Sequence, residues 1–205
     1  IGPAFDEFKS LADMNAVAAS ATAMNAVAAS ATAMNAVAAS ATAMNAVVAS
    51  ATAMNAVVAS ATAMNAVAAS ATALVAICRS ATAAVAVKSA IQNYRSGVVS
   101  TLEAAVGTKF SRSSATVGTN TAGTFDSGLG TNTIYIPVLI TDDGVADTYN
   151  IYYGADTTYM IGSYSVGNNT AYPVNNGVSM RGIKLVKTSS GSSNERLTCD
   201  VYTAI

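Results

Sequence analysis

The acidic residues that lie closest together are Asp142, Asp143 and Asp147. With Asp126 or Asp156 they offer oxygen ligands of the kind that calcium binds. Their spacing fits no EF-hand loop, and DDG at 142–144 is also typical of a hairpin turn, in which aspartates bond to the backbone. We therefore expect turn aspartates here and no metal site.

Other catalytic motifs are missing from the sequence. The segment GTNTAGTFDSGLG at 118–130 is rich in glycine, but it lacks the lysine of a phosphate-binding loop and precedes a strand-like run. Histidine is absent, so a serine nucleophile would lack its usual base. The sequence predicts no enzyme and no cofactor.

Tyrosines are concentrated near the C-terminus, where eight of the nine lie between Tyr135 and Tyr202. Aromatic rings with polar tips suit sugar rings and protein epitopes. We predict that five of them contact a receptor; packing in a core between subunits is the equal alternative. These five are Tyr152, Tyr153, Tyr159, Tyr164 and Tyr172.

The charge argues against some classes of binding partner, and the cysteines show no functional motif. The net charge is −1 and no basic stripe occurs, which argues against nucleic acid and acidic membrane as partners. Cys78 and Cys199 form no metal-binding or redox motif, and we expect two inert reduced thiols.

The N-terminal half is dominated by a tandem repeat. The decapeptide MNAVAASATA begins at residue 14 and recurs at 24, 34 and 64, with one Ala→Val change in each of the copies at 44 and 54. No charged side chain lies between Asp13 and Arg79. Each decad carries an Asn, a Ser and a Thr, so we expect no membrane-spanning helices.

The repeats favour a helix. Alanine is the best helix former, and Met and Val recur three residues apart, as in Met24 and Val27. Ten residues turn a straight helix through about 1000°, so each apolar stripe lags about 80° behind the last. A continuous helix over residues 4–106 would then need partner chains that wind around it more tightly than in a heptad coiled coil.

The fold class predicted is segregated α+β: a long parallel α-helical coiled-coil stalk, trimeric, followed by a C-terminal antiparallel β-sandwich knob. Phe5, Phe8 and Leu11 would fix the register at one end of the stalk. The predicted trimer seam contains Met24, Val27, Met34, Val37, Met44, Val47, Met54, Val57, Met64, Val67, Ile91, Tyr94, Val98 and Leu102.

Two other interpretations of the repeat stay open. A β-solenoid with two five-residue sides per decad would explain a short fixed period. Against it, the decad has no Gly, Pro or Asp for a corner, and its alanines disfavour strands. An ice-binding surface made of the recurring threonines would require that solenoid.

Composition changes near residue 107, where Gly, Asn, Ser and Thr begin to cluster. We divide the chain into a stalk at 1–106 (decads 14–73, degenerate repeats 74–93), a connector at 107–130 and a knob at 131–205. Strands are predicted at 133–141, 147–153, 158–166, 181–188 and 196–203, with turns between them.

Near-identical Ala/Ser/Thr-rich repeats such as SATAMNAVAASATAMNAVAAS, followed by a Gly/Asn/Thr-rich β domain, resemble the fibre proteins of tailed bacteriophages and their prophage relatives. The resemblance implies a homotrimeric tail or head fibre on the virion surface. Its N-terminal end would bind a virion attachment protein, and its knob would bind a glycan or protein on a bacterial surface.

The leading hypothesis is therefore a phage fibre, found on the virion and extracellular after release. The alternative is a non-viral surface adhesin or a self-assembling filament subunit, in which the repeat drives association. A discrete rod of three chains favours the fibre, and open-ended polymers favour the filament.

Overall fold

The computed structural model describes residues 11–119, 124–126, 132–142, 144, 146–156, 158–188 and 195–205. The chain divides into two compact units, Ile1–Ala105 and Val106–Ile205. The first contains helices and the second antiparallel strands, so the fold is α+β with the two classes segregated along the chain. Phe5 and Phe8 lie outside the described residues, as does Asp143.

The first compact unit is a series of short helices, about one for every ten residues. Its α-helices are α1 (Leu11–Ala19), α2 (Ala21–Ala29), α3 (Ala31–Ala39), α4 (Ala41–Ala49), α5 (Ala51–Ala59), α6 (Ala61–Ala68), α7 (Ala71–Arg79) and α8 (Ala81–Val87). A 3₁₀ helix (Ala90–Tyr94) and α9 (Arg95–Ala104) follow.

A serine stands at each junction between successive α-helices from α1 to α8. Ser60, for example, has extended backbone angles (φ −110°, ψ 116°), and its N–H bonds to the Val57 carbonyl at 3.1 Å. Its Oγ accepts the Ala63 N–H at 3.2 Å, and its carbonyl accepts the Met64 N–H at 2.9 Å. The serine thus caps the next helix, as serine does at N-caps generally, and ends the previous one.

The chain bends sharply at these serines. Successive helices meet at 100° both between α3 and α4 and between α5 and α6. Three such bends bring the chain back beside itself, because α4 packs on α1, α5 on α2, α6 on α3, α7 on α4 and α8 on α5. The unit is therefore a solenoid of α-helices, with three helices and 30 residues in each turn.

The serine hydroxyls also join one turn to the next. Ser60 Oγ donates to the Ala28 carbonyl at 2.5 Å, a carbonyl 32 residues earlier that lies in the last turn of its helix. Ser50, Ser70 and Ser80 make the equivalent bond to the carbonyls of Ala18, Ala38 and Val48. Beyond the decads, Thr101 Oγ1 donates to the Ala68 carbonyl at 2.7 Å and takes over this role.

The Met and Val positions form the solenoid core. Every decad methionine from Met14 to Met64 is at most 4% exposed, and alanines fill the space around them. The third decad residue shows the effect of stacking: Ala16, Ala26 and Ala36 are exposed in the first turn, whereas the equivalent alanines at 46, 56 and 66 are buried. Thr and Asn mostly face outward.

The prediction of one continuous helix is wrong. The drift of about 80° per decad is removed by a bend at each serine, so the apolar stripe faces the inside of one chain and needs no partner helix. All predicted seam residues are buried except Val27 and Tyr94, which are half-buried. The seam residues are buried by other residues of the same chain. A β-solenoid is also wrong, because the decads are helical.

Among the described residues, no single helix is long and apolar enough to cross a membrane; two bent pairs, α3 with α4 and α5 with α6, meet that test by length and composition only.

The described residues of the second unit form nine strands. They are β1 (Phe110–Thr119), β2 (Thr124–Asp126), β3 (Thr133–Thr141), β4 (Asp147–Tyr153), β5 (Met160–Val166), β6 (Ala171–Pro173), β7 (Ser179–Met180), β8 (Ile183–Lys187) and β9 (Glu195–Ala204). One sheet has the order β1-β9-β3-β6, with β7 also paired to β3, and the other has the order β2-β8-β4-β5. All the pairings between these strands are antiparallel.

The two sheets share one apolar core. Alternate residues of each sheet point inward, as pleated strands require. Tyr135, Ile140 and Leu197 come from one sheet, and Tyr149, Ile151 and Leu185 come from the other. The unit is therefore a small β-sandwich, with the predicted strands close to their expected positions.

The connector predicted at 107–130 is wrong in part. β1 covers Phe110–Thr119 and pairs along its whole length with β9, while β2 pairs with β8. The Ser and Gly in FSRSSATVGT suggested a linker, but pairing with an adjacent strand outweighs the low strand propensity of such residues. Residues 120–123 and 127–131 lie outside the described residues.

The double role of serine can be tested by comparing two junctions. Ser60→Ala removes both the cap and the bond to the Ala28 carbonyl, whereas Ser30→Ala, in the first turn, removes a cap whose bond to Ala33 N is 3.3 Å long. Losing a cap costs about 1 kcal/mol. Leaving a carbonyl unpaired adds about 1–2 kcal/mol. Urea unfolding followed by helical circular dichroism should show Ser60→Ala as the more destabilised variant.

Equal losses in the two variants would mean that the bond between turns contributes nothing. Thr52→Ala, at an exposed position without a junction role, is the control and should change the stability little.

Candidate binding surface of the β-sandwich

The five tyrosines predicted to contact a receptor lie on β4, β5, β6 and the turn between β4 and β5. Tyr153 is fully buried and Tyr164 is 9% exposed. Both lie at inward positions of their strands, Tyr153 beside Ile151 and Tyr164 beside Val166 in the alternation. The prediction that these two rings face a receptor is therefore wrong, because they are part of the sandwich core.

Tyr152 and Tyr159 are half-buried, and each packs against a different side chain. The Lys184 Nζ lies 5.8 Å from the centre of the Tyr152 ring, within the range of a cation–π contact. Tyr159 packs edge-to-face against Tyr153, with 6.4 Å between ring centres. Each ring is held by a neighbour and offers only part of its surface.

Tyr172 is the most exposed of the five rings, at 43%. Its ring centre lies 5.8 Å from that of Tyr164, whose hydroxyl donates to the Asn176 side-chain oxygen. A Cβ on Gly162 would lie 2.6 Å from the Tyr164 hydroxyl, so glycine at this position lets the Tyr164 ring lie close against β5. We call the group Tyr164, Tyr172 and Asn176 the Tyr172 edge.

The Tyr172 edge has the features of a small binding surface. Tyr172 offers an apolar ring face that is already held in place by a second ring, which lowers the entropy lost when a partner binds. Asn176 is exposed and supplies an amide for hydrogen bonds. An aromatic ring beside an amide suits a sugar ring or a protein side chain.

Two of the aspartates considered as calcium ligands, Asp142 and Asp156, are turn residues. Asp142 Oδ1 accepts the Gly144 N–H at 2.8 Å, and Asp156 Oδ1 accepts the Thr158 N–H at 3.0 Å. These bonds to a backbone two residues on are Asx turns. In the described part of the chain, no three His, Cys, Asp or Glu side chains lie close enough together to hold a metal ion.

One buried ion pair was not predicted from the sequence. Lys187 Nζ lies 3.5 Å from Asp147 Oδ2, and both side chains are almost fully buried. The strand IKLVK at 183–187 does carry the signal, because alternation places Lys187 on the same inward face as Ile183 and Leu185.

Both cysteines are buried thiols. Burial, together with the smaller effect of the nearby Asp200 charge, raises the pKa of the Cys199 thiol to about 12. Because the thiolate is the reactive form, Cys199 is protected both by its position and by its protonation.

Comparison with family models and with curated proteins assigns this chain to no family. The chain matches no protein-family model and no curated protein.

Cys199 should resist alkylation while the sandwich is folded. With iodoacetamide at pH 8, only a very small fraction of a thiol with a pKa of about 12 is ionised, so labelling should be at least 100-fold slower than in urea. Peptide mass spectrometry at timed intervals measures both rates. Equally fast labelling with and without urea would contradict the buried position.

Proposed function

We propose that this chain is a structural fibre of a phage virion, in which the helical solenoid is a spacer and the β-sandwich binds a bacterial surface receptor. The observation that carries the proposal is the combination, in one chain, of a repeat that only builds length and a sandwich with an exposed aromatic edge. The sequence resemblance to tailed-phage fibres supports the viral setting.

The decad suits a spacer because each copy makes the same contacts as its neighbours. In such repeat proteins, turns can be added or removed without changing the fold of the others. Each full turn adds one layer of packed helices, about 8–10 Å. Evolution can therefore adjust the length of the spacer by duplicating or deleting repeats.

The surface of the spacer also suits a passive role. Thr and Asn occupy exposed positions of the decads, and no charged side chain interrupts them between Asp13 and Arg79. Such a surface lacks the charged groups that attract nucleic acid or acidic membranes. It keeps the repeat hydrated without a strong preference for a partner.

The homotrimer and attachment of the N-terminal end to a virion protein are part of the proposal and rest on the phage resemblance. The need for partner chains to cover the Met/Val seam is removed, because that seam is buried within one chain. A non-viral adhesin or filament subunit is the competing assignment.

The receptor-binding part of the proposal can be tested with the full chain. Fluorescently labelled protein is titrated onto a panel of whole bacterial cells, and saturable binding to at least one strain is expected. On that strain, Tyr172→Ala should weaken binding about tenfold or more, since loss of an exposed aromatic anchor costs more than about 1.4 kcal/mol.

Two variants serve as controls. Ser163→Ala changes an exposed residue of β5 outside the Tyr172 edge, and deletion of residues 34–43 shortens the spacer by one decad. Both should bind as the parent does. Absence of saturable binding to every strain would contradict receptor binding, and open-ended polymers in a solution mass measurement would favour the filament.

A further inference from the structure

The buried pair Lys187 and Asp147 is placed for a reaction that the proposed function does not require. Lys187 is the last residue of β8 and Asp147 the first of β4, two strands that pair antiparallel with Tyr149 opposite Lys187. Lys187 Nζ lies 3.5 Å from Asp147 Oδ2. The amine therefore lies against the carboxyl group whose carbon it would attack.

Solvent reaches little of either side chain of the pair. The Lys187 side chain is 2% exposed and that of Asp147 is 8% exposed. Tyr149, which lies opposite Lys187, is fully buried, and its hydroxyl donates to Asp142 Oδ2 at 2.8 Å. Burial in such a site disfavours the charged forms of amines and carboxyl groups.

The distance between Lys187 Nζ and Asp147 Oδ2 is also longer than in a strong ion pair. Charged N–H···O bonds are usually about 2.7–2.9 Å long, compared with 3.5 Å here. Taking two charges out of water is expensive unless their contact is close and well bonded. Transfer of a proton from Nζ to Oδ2 removes both charges and leaves a neutral amine beside a neutral carboxylic acid.

The other oxygen of Asp147 is held by donors. Oδ1 accepts the Thr148 N–H at 2.6 Å and the Thr188 hydroxyl at 3.3 Å. These bonds fix the carboxyl group with Oδ2 toward the lysine. When a nucleophile attacks the carboxyl carbon, negative charge develops on Oδ1. The same two donors would stabilise that charge.

We propose that Lys187 and Asp147 form an intramolecular isopeptide bond. The neutral Nζ attacks Cγ of the protonated Asp147, and a tetrahedral intermediate forms with its negative charge on Oδ1. An Nζ proton passes to the Oδ2 hydroxyl, the Cγ–Oδ2 bond breaks, and one water leaves. The products are an amide and water, so the step needs no oxidant, reductant or co-reactant.

A cleft beside Asp147 provides a path for that water. It has a volume of 330 Å³ and is lined by residues at the start of β4 and the end of β5, including Asp147, Thr148 and Ser165. The amide then closes a covalent loop from residue 147 to residue 187, which contains β4 to β8. Cross-links of this kind stabilise mainly by restricting the unfolded chain.

Intact mass is the direct test. The purified full chain should weigh about 18 Da less than its sequence mass, which corresponds to the loss of one water. Lys187→Arg keeps the positive charge but cannot form this amide, and it should show the full sequence mass. A parent chain at full mass would overturn the proposal.

Peptide mapping locates the bond. Asp143–Gly144 can itself lose water as a cyclic imide, so the mass deficit must be assigned to a position. A tryptic peptide joining the segment of residue 147 to that of residue 187 is expected in the parent and not in Lys187→Arg. A deficit that maps to Asp143, or that persists in Lys187→Arg, contradicts the isopeptide bond.

Discussion

The hydrogen bonds of the serine between successive helices are the interactions on which the helical unit depends. As an acceptor the serine hydroxyl caps the helix that follows, and as a donor it holds a carbonyl 32 residues earlier. One small side chain therefore ends a helix, begins the next and fixes the distance between turns. Because identical residues recur every ten positions, each junction repeats the same solution, and the methionines return to the interior each time.

This arrangement explains why the decad is built from so few types of side chain. Met and Val fill the inside, alanines let neighbouring helices approach, and Asn and Thr remain hydrated outside. A unit built only from local contacts has no unique centre in which to place a catalytic group. The features with specific chemistry lie in the sandwich, where Tyr172 is exposed and Lys187 is paired with Asp147.

The sequence predicted the ten-residue unit, the burial of Met and Val, and the main strands, because those follow from alternation and periodicity. It did not predict the bends, for two reasons. The high helix propensity of the alanines outweighed the low propensity of the serines in the prediction, and the second hydrogen bond of each serine joins residues 32 apart in the sequence. The burial of Tyr153 and Tyr164 was readable from strand alternation, as was that of Lys187. The partner of Lys187 was not readable, because it depends on how β4 and β8 pair.

A distance between two spin labels tests the solenoid most directly. Thr22 and Thr82 are exposed at equivalent positions of α2 and α8, which lie two layers apart on the same side of the solenoid. With labels on Thr22→Cys and Thr82→Cys, diluted in unlabelled chain, the solenoid predicts about 20 Å from two helix spacings. One continuous helix would separate the labels by about 90 Å, and that result would contradict the account.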